Sequence, residues 1–92
     1  MSINFIFWAN FIYLMEVRDS VKLVLAKISE RDSLYERTYE HVPLADLIAV
    51  ARLKTYRATT MLQKQNKEKL LDDLIDATAY LLFAITLLRK ED

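Results

Sequence analysis

The chain opens on fifteen residues, MSINFIFWANFIYLM, without one ionisable side chain, and only then mixes apolar with charged positions. Within that head Phe5, Trp8, Phe11, Ile12 and Met15 recur at near-helical spacing, which predicts a helix buried between subunits. Asn4 and Asn10 interrupt the run and Glu16 and Arg18 end it, so it falls short of the ~20 apolar residues of a membrane span. From 16 to 28, Val17, Val21, Val24, Leu25 and Ile28 form one stripe, with Arg18, Asp19, Lys22 and Lys27 on the other side. That period is lost after Ile28. Ser33 and Glu36 stand at capping-box spacing, so the helix is expected to end or restart between Ser29 and Ser33.

Pro43 suits the first turn of a second helix, because its missing donor would be unpaired there, and Asp46 follows where the helix dipole favours an anion. This helix, 43–62, carries the stripe Leu44, Leu47, Ile48, Ala51, Thr55, Ala58 and Leu62. A polar connection, 63–67, ends the pattern, and Asn66 is an N-cap for a third helix, 67–88. Leu70, Leu71, Leu74, Ile75, Leu81, Leu82, Ile85 and Leu88 form the main stripe of that helix, and Asp73, Asp76 and Tyr80 fall opposite it. Beyond Asp76 the helix is apolar all round, which calls for protein on both sides, most economically a second copy. The expected fold is all-α: an antiparallel helical hairpin within a three- to four-helix bundle that forms a homodimer or tetramer. Residues 1–15 read as an apolar N-terminal segment, buried in the oligomer or acting as a peripheral anchor, and 16–92 as a single helical domain.

Composition narrows the chemistry. Ninety-two residues make one domain, and the absence of glycine excludes phosphate-binding loops and the nucleophile elbow, which need its backbone freedom. Having no cysteine removes disulfides, thiolate metal sites and a cysteine nucleophile, and suits a cytoplasmic location. Thirteen basic against thirteen acidic residues give no net pull toward nucleic acid, which is not an expected partner, and a membrane surface is the lesser alternative for the head. His41 is the only histidine and reads as a turn residue beside Pro43.

The strongest chemical pattern is Asp73-x-x-Asp76-x-x-x-Tyr80. Separations of three and four residues put these side chains on one helix face, with two carboxylates close enough to share a hard cation such as Mg²⁺. Lys54 and Arg57 stand level with Asp76 and Asp73 respectively if the hairpin turns near residue 65. They either hold phosphate oxygens beside the metal or simply pair with the acids, with a neighbouring subunit needed if their faces diverge. Glu36 and Glu40, four apart, are possible additional acids if 33–42 forms a short helix nearby.

On these residues the segment 43–88 resembles the second half of the MazG-like, all-α nucleotide pyrophosphatase superfamily, in particular its phage-associated nucleotide-modification branch. Asp73, Asp76 and Tyr80 match the late-helix acids and aromatic of that superfamily, and Lys54 and Arg57 its preceding basic pair. The resemblance implies Mg²⁺-dependent cleavage of nucleoside triphosphates to monophosphate and pyrophosphate, in dimers or tetramers of helical hairpins. The superfamily's paired glutamates on the earlier helix have no counterpart here beyond Asp46. Hydrolysis, nucleotide binding without hydrolysis, and a purely structural oligomerisation role therefore remain open.

Overall fold

The computed structural model describes the backbone of residues 3–35 and 38–90, with side chains placed for 6–31 and 40–90. Among the described residues the chain is all-α, without strands: α1 is Ile3–Tyr35, α2 is Leu44–Gln63 and α3 is Lys67–Lys90, with a short 3-10 helix, Thr38–His41, before α2.

The first helix differs from expectation. The break foreseen between Ser29 and Ser33 does not occur, and α1 runs unbroken for 33 residues. Neither glycine nor proline falls within it, and serine alone is too weak a stop to end a helix that gains one hydrogen bond per added residue. At 1.5 Å per residue it is about 50 Å long, which matches the longest dimension of the molecule, 51 Å.

The hairpin of α2 and α3 follows the expected outline. Pro43 sits at the N-cap of α2, one residue before the first helical position, and its carbonyl accepts from the amides of Asp46 (2.9 Å) and Leu47 (3.2 Å). At the other end Gln65 adopts φ 57°, the left-handed region, where a chain without glycine must spend an ordinary residue. Asn66 N donates to Met61 O at 2.9 Å and Gln65 N to Leu62 O at 3.1 Å, the paired bonds of a Schellman turn. Asn66 then caps α3, its Oδ1 accepting from Lys69 N at 3.2 Å.

Between α2 and α3 the helices approach through small residues. The buried apolar positions are Leu47, Ala51 and Ala58 on α2 and Ala77, Ala79 and Ala84 on α3, and among the described residues Leu47 is the one large side chain fully buried. The α3 faces differ from the sequence expectation: of the expected stripe Leu71, Leu74, Leu81, Ile85 and Leu88 are exposed and Leu70, Ile75 and Leu82 half-buried, while Asp73 and Asp76 are buried. Ile48 and Leu62 of the expected α2 stripe are exposed too, and Lys54 takes a place on the inner side with Ala51 and Ala58.

Candidate functional site: a buried acid–base cluster

Asp73 and Asp76 are 3% and 6% exposed, on the α3 face turned inward. The hairpin turn at Gln65 sets the heights, and the pairing follows the counting from it: Lys54 Nζ lies 3.5 Å from Asp76 Oδ2 and Arg57 Nη2 lies 3.7 Å from Asp73 Oδ1. No second subunit is needed for either contact. Lys54 is on the buried row of α2, one turn from Ala51 and Ala58, so its stem lies along the hairpin while its ammonium reaches the acid.

The closest cation comes from elsewhere. Arg31, near the end of α1, places Nη2 2.7 Å from Asp76 Oδ1. Sequence reasoning missed it, although the signal was present: Arg31 continues the row Val24 and Ile28, so a cation stands in phase with apolar side chains where α1 meets the hairpin. Val24 is buried and Ile28 half-buried at that junction.

Charge proximity and hydrogen bonding differ here. Arg31 is within contact distance of Asp76 Oδ1, yet no N–H is aligned on that oxygen, and Asp73 Oδ2 also accepts no hydrogen bond among the described residues. Three cations from α1 and α2 thus neutralise two carboxylates without saturating their lone pairs. Arg57 is 53% exposed on its side chain, so water screens the Asp73 pair far more than the Asp76 pairs.

The other expected site residues are not gathered at this point. Tyr80, one turn beyond Asp76, is half-buried and packs edge-on against Phe83, ring centres 5.9 Å apart. Glu40 lies in the 3-10 helix and pairs with Lys90 at 3.3 Å. Lys90 is fourteen residues past Asp76 on the same helix, about 21 Å along its axis. Glu36 lies outside the described residues. No group of three or more histidine, cysteine, aspartate or glutamate side chains among the described residues is placed to hold a metal ion. The donor set therefore does not fit a carboxylate-rich Mg²⁺ centre: two carboxylates face three cations. An open hollow of about 250 Å³ lies at the hairpin tip between Met61, Leu62 and Leu70, and neither acid lines it.

Among the described residues no helix is long and apolar enough to cross a membrane. No protein-family model, curated protein or solved structure matches the chain, so the likeness to the MazG-like superfamily rests on residue spacing alone.

Proposed function

We propose that the chain is a non-catalytic helical interaction protein, in which Asp73 and Asp76 are the fixed points that set how α1, α2 and α3 meet. One observation carries this reading: both acids are buried, and cations from two other helices stand over them instead of an open cavity. A buried carboxylate is tolerated where opposite charge offsets its lost hydration, and such a pair resists any sliding of helices that would separate it. The alanine-lined interface supplies little shape to fix register, so that task falls to the charges.

A second reading is a nucleotide site, with Mg²⁺ at Asp73 and Asp76 and the phosphates on Lys54, Arg57 and Tyr80. What favours it is the pair of unsatisfied oxygens, Asp73 Oδ2 and Asp76 Oδ1, since buried acceptors without donors are where an ion or polar ligand is sought. The short donor set places it second, and no hydrolytic step is derived from it.

Thermal unfolding separates the two. With Mg²⁺ plus each nucleoside triphosphate, the interaction reading expects the midpoint to match that in Mg²⁺ alone, while Asp76→Asn lowers it with or without ligand. A rise with Mg²⁺ and a nucleotide that disappears in Asp76→Asn would replace the first reading by the second.

A further inference from the structure

The chain exposes far more surface than a compact monomer of this size, and many of its large apolar side chains are part of it. Its accessible surface is 7666 Å², against about 5,500 Å² for a compact 10.8 kDa chain. The radius of gyration is 16.4 Å, where about 12 Å is usual for this length. The excess, roughly 2,000 Å² per chain, doubles to about 4,000 Å² for a pair of copies, within the range of obligate homodimers.

Part of the exposed apolar surface is organised as two rows. On α3, Leu71, Leu74, Thr78, Leu81, Ile85 and Leu88 are all exposed and spaced 3, 4, 3, 4, 3, the strict alternation of a coiled-coil seam. On α1 the same alternation links Phe7, Asn10, Leu14, Val17 and Val21, all exposed, and continues into Val24 and Ile28 at the junction with the hairpin. Competing rows stop at a charge: Phe7, Phe11 and Leu14 lead to Arg18, and Trp8, Ile12 and Met15 lead to Asp19. Only the first row runs uncharged from Phe7 to Ile28. It is continuous with a contact already made within the chain, and its outer half lacks a cover.

The free part of α1 defines what must be covered. Arg31, near the end of α1, meets Asp76, and every residue from 6 to 23 is exposed, so α1 joins the hairpin through its C-terminal part and its outer half stands clear of it. A two-fold axis lets that outer half lie antiparallel on the exposed row of the partner's α3. Antiparallel seams pair the two kinds of seam position with each other. In that alignment Asn10, the one polar residue of the α1 row, falls opposite Thr78, the one polar residue of the α3 row. Leu14 then faces Leu74, Val17 faces Leu71 and Phe7 faces Leu81. Thr78 already donates its hydroxyl hydrogen to Leu74 O at 2.8 Å, which leaves its oxygen to accept from the Asn10 carboxamide.

We propose that a second copy of this chain covers both rows reciprocally, α1 of each lying antiparallel on α3 of the other, with Asn10 against the partner's Thr78. This rests on the interaction reading above and names its partner. The chain has no cysteine, so engineered thiols report the pairing cleanly. Under mild oxidation the double variant Asn10→Cys/Thr78→Cys is expected to give covalent dimers, as is a co-refolded mixture of the two single variants, while each single variant gives none. Sedimentation of the full chain is expected to show a dimer, and Leu14→Asp, which puts a carboxylate into an apolar layer, a monomer at about 10 µM. Cross-linking of Asn10→Cys alone would mean that α1 pairs with α1 and would overturn the arrangement. A monomeric full chain would overturn the second copy as occupant, and flotation of that monomer with phosphatidylcholine–phosphatidylglycerol vesicles would identify a membrane surface in its place. Neither result depends on nucleotide, so self-pairing and the interaction reading fail by separate measurements.

Discussion

The two buried acids look alike in sequence and are not alike in place. Asp76 is met by Arg31 at 2.7 Å and Lys54 at 3.5 Å, two cations that are themselves largely sheltered, whereas Asp73 has Arg57 at 3.7 Å, more than half exposed. Removing the charge of Asp76 leaves two part-buried cations facing a neutral amide, and Asp76→Asn is expected to cost about 1–3 kcal/mol, reduced from a fully buried pair because water reaches Arg31. Asp73→Asn removes a buried charge that was poorly compensated and is expected to cost less than about 1 kcal/mol. Chemical denaturation of the two variants measures the contrast. Equal losses would show that the cations serve both acids alike. Gln65 allows a second residue-scale test. Its φ of 57° suits glycine, so Gln65→Gly is expected to raise the unfolding free energy by about 0.5–1 kcal/mol by relieving strain at the helix end.

The elements show why some of the fold was legible and some was not. The hairpin could be read because its signals are local: Asn66 offers a cap, the polar stretch 63–67 ends one period and starts another, and counting from the turn places Lys54 beside Asp76. The length of α1 was hidden because a serine pair within an amphipathic run resembles a boundary, and only the absence of glycine and proline argues otherwise. The faces of α3 were misread for a different reason. Periodicity shows that a stripe is covered but not by what, and with apolar residues on both sides of α3 it does not say which side meets α2. The structure gives that place to alanines and the acid pair, which allow α2 and α3 to come close. Enlarging such a contact forces the helices apart, so Ala58→Leu is expected to destabilise the hairpin by about 1–3 kcal/mol despite adding apolar volume. A circular-dichroism melt that rises instead would mean the alanine contact is loosely packed.

At the scale of the whole molecule, the fully buried core among the described residues is small and mostly alanine. Burying an alanine contributes little more than one methyl group, about 0.8 kcal/mol, and many of the large apolar side chains that would supply more are exposed or only half-buried. A cover over α1 and the outer row of α3 would add to that burial. If the cover is a second copy, folding and association are one equilibrium, and the midpoint of unfolding depends on concentration by mass action. With an unfolding enthalpy near 0.7 kcal/mol per residue summed over two chains, the midpoint is expected to climb by about 3–5 °C for each tenfold increase in protein concentration. Leu14→Asp, by separating the copies, is expected both to lower the midpoint and to make it independent of concentration. Asp76→Asn acts within one chain, between α1, α2 and α3, and is expected to lower the midpoint while preserving the slope. Calorimetric scans across two decades of concentration distinguish these behaviours. A slope of zero in the unsubstituted chain would assign its stability to the hairpin and the acid–base cluster alone.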